Sequence, residues 1–88
     1  MMASRDEVFA RLRGILVESF ELDAARVTGT AHLLDDLDLD SIDAIELAVR
    51  LEEETGLKLA DEELRGVRRV DDVVELVHAK LAGQAARA

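Results

Sequence analysis

The chain has 88 residues, a net charge of −9, two histidines, and neither cysteine nor proline. A chain of this size buries about 60–65% of its unfolded surface, enough for one modest core but not for the braced cleft of roughly 300 Å³ or more that usually houses a substrate. Disulfides, thiolate zinc sites and a Cys nucleophile are excluded, two histidines are too few for a His-based metal cluster, and the negative charge disfavours nucleic acid and anionic membrane as partners.

No stretch approaches the ~18 consecutive apolar residues of a membrane span, and residues 1–6 lack an apolar signal core. The expectation is a cytoplasmic, monomeric, single all-α domain with no membrane insertion. The first helix is predicted over about 4–20, opened by the capping-box spacing of Ser4 and Glu7. Within it Val8, Phe9, Leu12, Ile15 and Leu16 follow the i, i+3, i+4, i+7 rhythm of one buried face. Gly14 inside this stretch costs up to ~1 kcal/mol relative to Ala.

From Glu21 to Leu39 the periodicity weakens into a long loop, in which Val27, Leu33, Leu34 and Leu37 supply apolar anchors. A second helix is predicted over 41–55, capped by Asp40 and ended by Gly56. A short helix over 61–65 follows, and a last one over about 70–81 carries Val70, Val73, Val74, Val77 and Leu81 on one stripe. Gly83 is expected past its end, with a frayed tail over 84–88. The fold class is thus a bundle of three main helices and one short one, with a long first crossover.

Charge is unevenly distributed. Residues 35–63 hold twelve carboxylates against Arg50 and Lys58, so this stretch carries −10 and the rest of the chain +1. On a wheel at about 100° per residue, with Ile42 at zero, Ala44, Leu47, Ala48, Leu51 and Thr55 of the second helix form a core stripe at roughly 140–240°. Asp43, Glu46, Arg50, Glu53 and Glu54 face solvent at roughly 20–120°. Ile42, Ile45 and Val49 cluster at roughly 300–0°, an apolar strip beside the carboxylates that suits a docking partner with a basic surface.

Ser41 heads this helix, where unpaired backbone N–H groups and the positive end of the helix dipole favour an attached phosphate. Serine at a helix start is commonly only a cap, but Asp40 fills that role one residue earlier. The run Asp35-Asp36-Leu37-Asp38-Leu39-Asp40-Ser41-Ile42-Asp43-Ala44-Ile45-Glu46-Leu47 resembles the modification motif of acyl carrier proteins, whose Asp-Ser-Leu core is Asp40-Ser41-Ile42 here. The likeness extends from about Glu7 to Leu81. It implies a four-helix carrier rather than an enzyme, with 4'-phosphopantetheine from coenzyme A attached to Ser41 by a phosphopantetheinyl transferase and acyl chains held as thioesters.

The same resemblance implies a partner face of Asp40, Ile42, Asp43, Ile45, Glu46, Val49, Glu52 and Glu53, read by ketosynthase, ketoreductase, dehydratase and acyltransferase enzymes with basic patches. It also implies an acyl-chain pocket, for which Leu33, Leu34, Leu37, Ala48, Leu51 and Leu59 are the candidates. The chain departs from the family pattern at Asp38, where glycine is common, at Ile42, at Leu59-Ala60-Asp61, where a proline is usual, and in a basic patch of Arg65, Arg68 and Arg69. These features resemble dedicated type II carriers such as those of aryl-polyene pathways.

Three other functions have partial sequence signals. Asp36, Asp38 and Asp40 alternate as in a calcium loop, but its turn glycine would fall on Ser41 and its bidentate glutamate on Leu47. A serine hydrolase needs a base such as His32 beside Ser41 and a G-x-S-x-G elbow that is absent. An unmodified helical adaptor docking through the second helix is the remaining alternative.

Overall fold

The computed structural model describes residues 4–87, the side chains at 61 and 84–87 excepted. Helix α1 spans Arg5–Phe20, α2 Ser41–Thr55, α3 Asp61–Arg65 and α4 Val70–Arg87, and a 3-10 turn, Ala24–Arg26, lies in the first crossover. No strand occurs among the described residues, and the backbone is all-helical with loops.

The Ser4 side chain accepts the Glu7 backbone N–H at 3.3 Å to start α1. Glu21, at φ 55°, closes it in a left-handed cap, with its N–H bonded to the Leu16 carbonyl. Val8, Leu12, Ile15 and Leu16 of α1 are buried against Leu47, Ala48 and Leu51 of α2 and Val70, Val73, Val74 and Val77 of α4. Phe9, placed on the buried face by its spacing, is only partly buried. The Arg13 guanidinium lies over its ring at 5.6 Å, covering an aromatic edge the core does not take in.

The crossover is an ordered strap. Val27, Ala31, Leu33, Leu37 and Leu39 are buried, and the Arg26 guanidinium donates to the Asp36 carbonyl at 2.6 Å. The strap also supplies acceptors for the start of α4, whose first N–H groups have no partner within the helix. Val70 N–H donates to the Ala31 carbonyl at 3.1 Å and Asp71 N–H to that of Gly29 at 2.9 Å, while Leu33 N–H donates to the Arg68 carbonyl at 2.9 Å. The Asp72 carboxylate accepts the N–H groups of Arg68 and Arg69, each at 3.0 Å.

Two details differ from the sequence expectation. Helix α4 continues through Gly83 to Arg87 instead of ending near Leu81. Gly costs about 1 kcal/mol in a helix, but Ala82, Ala85 and Ala86 around it are the strongest helix formers and no proline intervenes. The expected fraying of Ala88 lies outside the described residues. Leu34, taken as an anchor of the strap, is 60% exposed; the turn that buries Leu33 and Leu37 points the residue between them outward.

Candidate functional site

Ser41 is the first residue of α2, and the side chain before it does the capping. Asp40 Oδ1 accepts the N–H groups of Ile42 at 3.0 Å and Asp43 at 2.9 Å. Asp43 reaches back to accept the Asp40 N–H at 3.2 Å, completing a reciprocal capping box. The Ser41 side chain therefore has no capping duty and stands exposed at the positive end of the helix, where a phosphate would be stabilised by the dipole.

Beside Ser41 opens a groove of about 450 Å³. Its walls are Leu33, Leu34 and Leu39 from the strap, Ala44, Ile45 and Leu47 from α2, and Leu64, Val67 and Val73 from α3, the connection after it and α4. His32, Asp40, Arg65 and Arg68 complete the lining. The volume lies within the range of small-molecule sites, about 300–1,000 Å³, and corrects the expectation from chain length that there is no room for such a cleft: the strap and the α3–α4 connection supply much of its lining. A second depression, about 440 Å³, lies along α1 between Glu7 and Glu18 and includes Glu54; it does not reach Ser41.

Of the six pocket candidates, Leu33 and Leu34 line the groove. Leu37, Ala48, Leu51 and Leu59 are buried in the general core and do not. Leu39, Leu47, Leu64, Val67 and Val73 take their place. Their apolar character was visible in the sequence. Their convergence depends on how the α3–α4 connection lies across the strap, for which the sequence carries no local signal.

The apolar strip of α2 is where the wheel put it: Ile42, Ile45 and Val49 are 73%, 55% and 47% exposed. Glu46 and Glu53 are exposed on the same face, and Arg50 lies 3.8 Å from Glu46. Three members of the expected partner face are held by the fold itself, Asp40 as the cap of α2 and two others. Asp43 is half-buried in the capping box. The Glu52 carboxylate accepts the Leu59 N–H at 2.9 Å, tying α2 to the segment before α3. Leu34, exposed on the groove's edge with Ile45, joins this face although its sequence position gave no hint of it.

Among the described residues His32 makes no hydrogen bond to Ser41, although both line the groove. Its Nδ1 faces the Asp35 carboxylate at 3.6 Å, too long for a hydrogen bond, and is the buried side-chain polar atom without a hydrogen-bond partner among the described residues. Among the described residues no three His, Asp or Glu side chains are grouped to hold a metal ion, and no helix is long and apolar enough to cross a membrane.

The family model described as "Phosphopantetheine attachment site" matches residues 10–77. Acyl carrier protein 2 of Ralstonia nicotianae is 50% identical over 76 residues, covering 86% of this chain and 94% of that protein. The acyl carrier protein of Thermotoga maritima is 39% identical over 80 residues, 91% of this chain and 99% of its own length. The meromycolate extension acyl carrier protein of Mycolicibacterium aurum is 40% identical over 77 residues, 88% of this chain and 79% of its own. A crystal structure of the Thermotoga maritima acyl carrier protein superposes with a TM-score of 0.80 at 32% identity, over 90% of this chain and 92% of that one. An exposed helix-start serine beside an apolar groove, within a fold and sequence shared over nearly the whole chain, places this protein in the acyl carrier protein family: it is a phosphopantetheine-bearing carrier and not an enzyme.

Proposed function

We propose that Ser41 is the residue that carries the phosphopantetheine arm, that the adjacent groove shelters the acyl chain, and that the exposed face of α2 is read by partner enzymes. The observation that supports this most directly is the free position of Ser41, relieved of capping by Asp40 and standing on the rim of the groove. In loading, the Ser41 Oγ–phosphorus bond forms as the coenzyme A pyrophosphate bond breaks. Adenosine 3',5'-bisphosphate leaves, and the hydroxyl proton passes to a base on the magnesium-dependent transferase. Bound there, the arm supplies a terminal thiol that holds acyl groups as thioesters.

The protein's own part is presentation. The start of α2 accommodates the phosphodiester, and the groove offers apolar walls that withdraw a chain from water. Ile42, Ile45 and Val49, edged by Glu46 and Glu53, give partners an apolar centre with a charged rim. Those partners are the phosphopantetheinyl transferase and the ketosynthase, ketoreductase, dehydratase and acyltransferase of a cytoplasmic type II fatty-acid, polyketide or aryl-polyene-like pathway.

Incubation with coenzyme A and a promiscuous phosphopantetheinyl transferase should add one phosphopantetheine by intact mass, and Ser41→Ala should add none. An unmodified wild-type chain would leave the adaptor reading in its place.

A further inference from the structure

The groove beside Ser41 is not uniformly apolar. Arg65, from the last turn of α3, and Arg68, from the connection to α4, line it together with His32 of the strap. Both arginines are exposed, and among the described residues neither makes an ion pair. The Asp72 carboxylate accepts the backbone N–H groups of Arg68 and Arg69 and is also acted on, more weakly, by their side-chain charges. His32 also lines the groove, and its buried Nδ1, without a hydrogen-bond partner among the described residues, faces the Asp35 carboxylate at 3.6 Å. A groove meant only for a saturated alkyl chain gains nothing from two guanidinium groups, since polar atoms covered by a methylene chain lose water without replacement.

Resting on the carrier reading above, we infer that this groove is suited to acyl chains that end in a carboxylate, with Arg65 and Arg68 as the groups that receive it. Guanidinium offers several donors in a fixed fork that matches a carboxylate. A carboxylate-ended chain can thus enter with its polar group paired, while its methylenes lie against Leu33, Leu47 and Val67.

The test is a thermal-melting cycle on the full chain loaded with chains of matched length, one methyl-ended (hexanoyl) and one carboxylate-ended (adipoyl). Both are installed from their coenzyme A thioesters, in the wild type and in the double variant R65Q/R68Q. Each midpoint is referred to the unacylated, arm-bearing form of the same variant. The double substitution should lower the gain from adipoyl by about 3 °C or more and leave the gain from hexanoyl unchanged. Equal losses for both chains, or none for either, would overturn the inference while leaving the carrier reading intact. A double variant whose loss is already complete in the unacylated, arm-bearing form and absent from the arm-free form would assign the arginines to the phosphodiester of the arm, and would also overturn it. Failure of both chains and of coenzyme A itself to load, seen as no mass increment, would remove the proposal that Ser41 carries the arm and this inference with it.

Discussion

At the residue scale, the departures from the usual carrier pattern have local physical explanations. Asp38 sits at φ 55°, in the left-handed region that glycine occupies freely and that Asp and Asn tolerate better than other side chains. A glycine at this position would meet the same backbone demand as the aspartate does. Asp38→Val, β-branched, should cost about 1–2 kcal/mol in urea denaturation, whereas Asp38→Gly should stay within about 0.5 kcal/mol of wild type. An unaffected valine variant would mean that the strap adopts another turn. The docking face is likewise sharpened: the helical wheel reports which way a side chain points and put Asp43 among the solvent-facing residues, while the family resemblance added Glu52 to the partner face. Neither can report that a carboxylate is engaged by the Asp40 or Leu59 N–H. Those bonds depend on a cap geometry and on a loop that returns seven positions later.

At the scale of elements, the helices were legible and their junctions were not. Three-to-four residue periodicity, Asp40 and Gly56 are local signals, and α1 and α2 follow them. The strap's turns, and the end of α4, depend on contacts made at a distance. Gly14 tests the first kind of statement. It lies in mid-α1, where an added Cβ would meet no atom within 4 Å, so Gly14→Ala should add about 0.5–1 kcal/mol and raise the melting midpoint by roughly 3–6 °C. The junction of strap and α4 gives a prediction of the second kind. The Arg69 N–H and then the Arg68 N–H hold the Asp72 carboxyl below its ordinary value, against a smaller opposing effect of burial. A carboxylate whose folded value is depressed contributes stability above the ordinary carboxylate range and loses it as pH falls through the folded value. Asp72→Asn should therefore be less stable than wild type at neutral pH, with the gap closing in acid; a gap constant with pH would show that the N–H bonds do not depend on the charge.

For the molecule as a whole, the placement of charge matters more than its sum. The −9 net charge would attract any basic protein, but the carboxylates of the α2 face share that face with the exposed apolar strip. Glu46 belongs to that face. Glu54, on the same helix, instead pairs with Arg11 of α1 at 3.4 Å and borders the depression that does not reach Ser41. Both Glu46→Lys and Glu54→Lys change the net charge by the same amount, so comparing them separates a general field from a located one. Steering by a located patch acts on association rate and is screened once the Debye length falls from about 30 Å at 0.01 M salt to about 3 Å at 1 M. Glu46→Lys should lower kcat/KM for phosphopantetheinyl transfer by roughly 3- to 10-fold at low salt, with most of the loss gone at high salt and helicity by circular dichroism unchanged. Glu54→Lys should lower it by less than about 2-fold under the same conditions, and its main effect should be a small loss of stability where the Arg11 pair is removed. Equal losses from the two variants would mean that partners respond to the total charge, and that the strip of Ile42, Ile45 and Val49 is not where they dock.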